Sequence, residues 1–130
     1  MLDLACNSLS GKIPVALGRL VKLQSIDLFL NNLSGNIPTS LTNCTSLQYF
    51  SVPSNSLSGP IPSSLGFMKK LIWFDFSKKS LTGHLPPTLS NCMMLLGLYP
   101  HNNKLGGSLP ESITKLSQLG FLSLSNNNFI

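Results

Sequence analysis

The stretch Leu23–Ser46 reads LQSIDLFLNNLSGNIPTSLTNCTS, and the rest of the chain repeats it in phase. At a spacing of 24 residues, Leu2, Ile26, Phe50, Phe74, Leu98 and Leu122 fall in one column. Leu9, Leu33, Leu57, Leu81, Leu105 and Phe129 fall in a second, and Pro14, Pro38, Pro62, Pro86 and Pro110 in a third. Gly11, Gly35, Gly59, Gly83 and Gly107 align as well, with no slip of register. A fixed period in the range of about 20–50 residues is the mark of a solenoid, in which each unit rests on the next.

Leu23, Ile26 and Leu28 mark a short strand, with Ile26 and Leu28 pointing inward and Ser25, Asp27 and Phe29 outward. Asn31 follows at a turn, where its amide can bond backbone groups of adjacent turns; Asn7, Asn55, Asn103 and Asn127 repeat it. Gly35 permits a tight backbone, Pro38 fixes φ, and Leu41 and Cys44 on the return arm close the coil. A unit this small cannot bury its apolar face alone, so stability is expected from stacking. The chain divides as a single array, 1–130. It has a partial repeat 1–22, full repeats 23–46, 47–70, 71–94 and 95–118, and a partial repeat 119–130. Neither end reads as a polar cap, so an uncapped fragment is expected, with its end layers exposed.

Composition narrows the function classes. With 42% hydrophobic and 10% charged residues the chain folds rather than staying disordered. The net charge of +5 is dispersed, and only Lys69 with Lys70 and Lys78 with Lys79 adjoin, which argues against nucleic acid. No apolar run is long enough to span a membrane, and Met1-Leu2-Asp3 opens no signal peptide. Cys44 and Cys92 sit where Leu20, Met68 and Leu116 sit in other repeats and read as buried hydrophobes. They lie two repeats apart, roughly 10 Å at about 4.8 Å per strand, too far for a disulfide. Cys6 projects elsewhere and is the candidate reactive thiol.

Catalytic chemistry finds no support. Asp3, Asp27 and Asp75 share an outward column at about 4.8 Å per step, a carboxylate spacing seen in retaining glycosidases. An open sheet offers no cleft to raise a pKa, and these acids read as solvated or as ligand contacts. His84 and His101 do not converge with cysteine or acid at metal-ligand spacing, and no nucleotide or hydrolase signature is present. The expected set is therefore no catalytic residue, no metal and no cofactor.

The outward strand columns carry the signal. They read Ser25, Tyr49, Trp73, Gly97, Phe121; then Asp27, Ser51, Asp75, Tyr99, Ser123; then Phe29, Pro53, Ser77, His101, Ser125. Aromatic residues in such columns suit recognition, because Trp and Tyr are enriched at binding hot spots. Stacking among themselves across strands is the competing use. The candidate ligand-binding set is Phe29, Tyr49, Trp73, Asp75, Lys78, Tyr99, His101 and Phe121. Asn32-Leu33-Ser34 and Asn43-Cys44-Thr45 are glycosylation sequons, making Asn32 and Asn43 candidate sites away from the strand centres.

The tandem pattern, LQSIDLFLNNLSGNIPTSLTNC followed by LQYFSVPSNSLSGPIPSSLG, resembles the plant-specific class of leucine-rich repeats, over essentially the whole chain. The resemblance implies an α/β-type repeat solenoid: a right-handed leucine-rich repeat superhelix of 24-residue repeats. A parallel β-sheet would line its concave face, with 3-10 turns, a second short sheet and irregular segments on the convex side. It implies the ectodomain of a plant receptor-like kinase or receptor-like protein, which perceives signals in defence or development on the extracellular face of the plasma membrane or in the apoplast. A peptide or protein ligand and a leucine-rich repeat co-receptor would be its partners. A secreted inhibitor of the polygalacturonase-inhibiting type and a truncated, non-functional product are the alternatives.

Three departures from the pattern carry expectations. Lys79 replaces a ladder asparagine and should forfeit its bonds or swing outward along its alkyl stem. Pro100 replaces a strand leucine and should break pairing near Tyr99 to His101. Phe74 and Phe76, bulkier than Ile26 and Leu28, should adjust curvature.

Overall fold

The computed structural model describes residues 1–130. Each coil contributes a strand, a second short strand and a 3-10 segment. The first coil has β1 (Leu2–Asp3), β2 (Ser10–Lys12) and the segment Val15–Arg19. The second has β3 (Ser25–Asp27), β4 (Asn32–Gly35) and Thr39–Asn43; the third has β5 (Tyr49–Ser51), β6 (Ser56–Pro60) and Ser63–Phe67. The fourth has β7 (Trp73–Asp75), β8 (Ser80–Gly83) and Pro87–Asn91. β9 (Gly97–Tyr99), β10 (Lys104–Gly107) and Glu111–Lys115 make the fifth, and β11 (Phe121–Leu122) with β12 (Asn128–Phe129) complete the array.

The odd strands form one six-stranded parallel sheet and the even strands another. In the first sheet the register matches the 24-residue columns: Ile26 opposes Phe50, Phe50 opposes Phe74 and Phe74 opposes Leu98. The prolines preceding the 3-10 segments hold extended ψ near 130°, as at Pro38 (φ −69°, ψ 134°). They end the strand-like run, and the missing N–H costs nothing at a helix start. Each segment then closes on itself, Leu41 N–H donating to Pro38 O (3.1 Å) and Cys44 N–H to Leu41 O (3.0 Å).

Between the sheets and the 3-10 row lies one continuous core of stacked columns. Ile26, Cys44, Leu47, Phe74, Leu81, Cys92 and Leu98 are all 0% exposed. Phe74 stacks on Phe50 with centroids 5.2 Å apart and planes 9° apart, and meets Phe76 at 4.4 Å. The two bulky phenylalanines are thus absorbed in the core by ring packing. Cys44 and Cys92 are free, buried thiols, and Cys6 is free and exposed.

The asparagine ladder stitches coil to coil. Asn55 Nδ2 donates to Leu28 O of the preceding coil (2.8 Å) and to Val52 O of its own (3.1 Å), while its Oδ1 accepts from Leu33 N–H (3.0 Å). Asn31, Asn103 and Asn127 repeat the arrangement against Leu4 O, Phe76 O and Pro100 O. Asn7, in the first coil, bonds only Leu4 O and Ala5 O.

Lys79 departs from the expected outward swing. It is buried, 9% exposed, and its Nζ donates to Val52 O, the carbonyl that an asparagine in that slot would serve. The same carbonyl already accepts from Asn55 Nδ2, so the lysine is a second donor to it. Burial then drives the Lys79 ammonium down to about 7, with the Asp75 carboxylate acting in the opposite direction. The lysine offers no acceptor, so Leu57 N–H receives no side-chain oxygen as Leu33 and Leu81 do.

Pro100 breaks the pairing locally, as expected, and its effect stops there. Its neighbours keep the ladder, Phe76 N–H donating to Tyr99 O (3.2 Å) and Asn102 N–H to Ser125 O (3.0 Å). A single rung is absent, because proline has no N–H to donate. Pairing of β9 with β11 runs through Gly97–Phe121 and Leu98–Leu122.

The residue just before each ladder position is left-handed although it is not glycine: Cys6, Leu30, Ser54, Lys78, Asn102 and Asn126 have φ between 52° and 57°. This turn redirects the chain from the first sheet to the second. Pro53 and Ser77, in an outward column by sequence, are buried, whereas Phe29 in the same column and before the same turn stays exposed.

Candidate ligand-binding face

The outer face of the first sheet holds most of the expected site, in two groups. Trp73, Tyr99 and Phe121 form a continuous aromatic wall across β7, β9 and β11. Trp73 lies 4.7 Å from Tyr99 (35° between planes) and 6.2 Å from Phe121 (53°). His101 extends the wall, 6.5 Å from Tyr99 in an edge arrangement. Asp75 is opposite Tyr99 in the strand register. Phe29 and Tyr49, 36% and 47% exposed, stand apart on earlier coils, with no ring stacked on them. Lys78 occupies a left-handed turn position past the end of β7 and is exposed.

Gly97 makes the wall possible. A Cβ there would meet Trp73 Cε3 at 2.6 Å and Tyr99 Cε2 at 2.9 Å, so the indole lies directly over the glycine backbone. Sequence reading passed over Gly97, although a glycine inside a strand is a known signal of close approach by another group. Aromatic packing and recognition are therefore not exclusive here: Trp73 and Tyr99 brace each other while Phe121 stays 60% exposed.

The polar groups on this face are asymmetric. The Asp75 carboxylate accepts from Ser77 N–H (3.0 Å), as Asp27 does from Phe29 N–H (2.9 Å) and Asp3 from Ala5 N–H (3.1 Å). Each aspartate thus caps its own strand end, which is a local turn-forming use of the carboxylate. Burial, followed by the Asp75 carboxylate, raises the Tyr99 phenol above its ordinary value, so it remains a protonated donor. His101 Nδ1 is buried without a hydrogen-bond partner. An unsatisfied buried polar atom is uncommon, and its burial keeps it from direct contact with a ligand on this face.

Elsewhere, Asn32 in β4 and Asn43 at the end of a 3-10 segment are both exposed and lie off this face. His84 turns its Nδ1 to Gly106 O (2.9 Å), far along the coil from His101. No group of three or more metal-binding side chains occurs, and no helix is long and apolar enough to cross a membrane.

The family model described as Leucine Rich Repeat matches residues 1–20, 22–44 and 46–68. The chain belongs to the leucine-rich repeat family. No curated protein matches it by sequence. Among solved structures, this leucine-rich repeat chain is similar to the plant peptide hormone receptor RGFR1 in complex with RGF2. The two share 38% identity at a TM-score of 0.97, over 98% of this chain and 20% of that one. It is similar to the Arabidopsis receptor kinase HAESA ectodomain, in complex with an IDA peptide hormone ligand. There the identity is 39% and the TM-score 0.94, over 98% of this chain and 22% of that one. The ectodomain of the Arabidopsis receptor kinase SOBIR1 aligns at 30% identity and TM-score 0.92, over 98% of this chain and 71% of that one. The chain thus spans about a fifth of the length of the two peptide-bound receptors. The first sheet is the concave face of this fold.

Proposed function

We propose that the chain is a recognition segment of a plant receptor-kinase or receptor-like ectodomain, acting without chemistry of its own. Its concave aromatic wall would hold a peptide or protein ligand. The observation that carries this reading is the wall itself, Trp73 over Gly97 with Tyr99, Phe121 and His101, set on a rigid sheet. Such rings supply large contact area at little cost in side-chain entropy. The Tyr99 hydroxyl adds a donor to fix ligand orientation. Peptide hormones bound to similar ectodomains support the ligand class, and a BIR3–SERK2 complex among the similar structures supports a leucine-rich repeat co-receptor as second partner.

In this reading residues 1–130 form one array with the unit boundaries given above, on the extracellular side of the plasma membrane. Asn32 and Asn43 would carry glycans that leave the wall open. Neither a cofactor nor nucleic acid has a part in it. Trp73 is the only tryptophan, so its emission reports directly on occupancy of the wall. Titration with a library of secreted plant peptides should yield binders that shift that emission. Tyr99→Ala and Phe121→Ala should each weaken those binders by roughly thirtyfold, the scale of a hot spot near 2 kcal/mol. Unchanged affinity in both variants would overturn the assignment.

A further inference from the structure

A second surface runs along the edge where each 3-10 segment turns into the next strand, away from the aromatic wall. Its positions stack in register, Leu96 N–H donating to Ile72 O (2.8 Å) and Gly120 N–H to Leu96 O (2.9 Å). In the second coil this turn carries Thr45, Ser46 and Gln48, and in the fifth Ser117 and Gln118, as an exposed turn should. The fourth coil breaks the rule. Met93 and Met94 are each 50% exposed there, and Leu96 just beyond them is 43% exposed.

These side chains border two shallow, open hollows. One hollow of about 350 Å³ is bounded by Ile72, Met93, Met94 and Leu96. A second, of about 750 Å³, shares Met93 and lies between Lys69 and Lys115. No acidic side chain lines either hollow. Three of the chain's four acids, Asp3, Asp27 and Asp75, are on the concave strands, and Glu111 begins its 3-10 segment four residues before Lys115. The edge therefore combines exposed, adaptable thioethers with ammonium groups and no lining carboxylate.

We propose that this edge docks an acidic, apolar-bearing segment of another protein. Met93, Met94 and Leu96 would take its apolar side chains, and Lys69 and Lys115 its carboxylates. Methionine suits a surface that must shape itself to a partner, and exposed apolar clusters rimmed by charge mark interaction sites. Charge selects the partner: a basic segment is repelled, and an uncharged one desolvates both ammonium groups without compensation.

The test is selection from a random-peptide display library on the whole chain, with the recovered peptides then synthesised and measured by fluorescence anisotropy. Recovered peptides should combine Asp or Glu with Leu, Phe or Met. Their affinity should fall by about tenfold or more in Lys69→Glu/Lys115→Glu and, separately, in Met93→Ser/Leu96→Ser. All four positions are on the surface, and unchanged far-ultraviolet circular dichroism confirms that the fold persists. Raised salt should weaken binding to wild type and not to the charge-reversed variant. Recovery of only neutral or basic peptides overturns the proposal, as does equal affinity across the variants. Binding that is lost in Trp73→Ala instead would place it on the concave face. Co-sedimentation with phosphatidylserine vesicles, without any acidic peptide recovered, would assign the edge to a membrane and likewise overturn it.

Discussion

Replacing Lys79 by asparagine should stabilise the chain, and by an amount that depends on pH. The lysine ionises at about 7 in the folded chain against 10.5 in its ordinary setting. Between those values the unfolded chain binds the extra proton, so wild-type stability rises with pH across the window. Below about 7 both states are charged, and the penalty of burying the ammonium is fully present. At 1.36 kcal/mol per pKa unit, that difference sets an upper bound of about 5 kcal/mol; partial solvent contact reduces it to about 2–4 kcal/mol. The asparagine introduced by Lys79→Asn would also regain the acceptor for Leu57 N–H, a bond of about 1 kcal/mol net. Asn103, one coil on, shows that the slot accepts the shorter side chain. Urea unfolding followed by circular dichroism, at about pH 6 and about pH 10, reads both terms. The variant should lead by about 3–5 kcal/mol at the lower pH and by about 1 kcal/mol at the higher. A gap that does not change with pH, or a more stable wild type, would refute the buried-ammonium account.

Other substitutions test separate parts of the scaffold. Gly97→Ala should displace the Trp73 indole and red-shift its emission with little change in circular dichroism; an unmoved spectrum would show that the indole does not rest on residue 97. Leu30→Asn, at an exposed left-handed position, should raise stability by about 1 kcal/mol in thermal unfolding, since asparagine tolerates that φ better than leucine. Asn55→Ala removes bonds to Leu28 O, Val52 O and Leu33 N–H together and should cost about 2–4 kcal/mol, whereas Asn7→Ala should cost less than half of that. Mild alkylation near pH 8 should label Cys6 alone, because burial lifts the Cys92 thiol to about 11 and raises Cys44 as well.

The scaffold was legible because every structural demand recurs at one spacing. Leu, Asn, Gly and Pro each answer a backbone or packing need that returns once per coil, so their columns report the fold directly. What the sequence hid lies where alternation stops. Pro53 and Ser77 look outward by a period of two, yet both are buried where the strand runs into the turn, while Phe29 in the same column is exposed. Lys79 reads as a charge that belongs in water, but it lies buried with its Nζ on Val52 O. Within the concave face the sequence placed Trp73, Tyr99, Phe121 and His101 in adjacent columns, but not the ring contacts that group them. Those depend on Gly97 having no side chain. The edge around Met93 was invisible, since methionine in a turn has no periodic signature.

The aromatic wall also acts as a ruler. It climbs one strand at a time, in steps of about 4.8 Å, whereas an extended peptide laid along the array advances about 3.3 Å per residue. The rings close up on that ladder: Trp73 on β7 and Phe121 on β11, two coils apart, have centroids 6.2 Å from each other, close to two residues of an extended peptide. A ligand in that orientation would meet the outer rings with every second side chain and turn the residues between them to the opposite side. An alanine scan of a bound peptide should then show a period of about two, and a uniform profile would mean that the ligand crosses the coils at another angle.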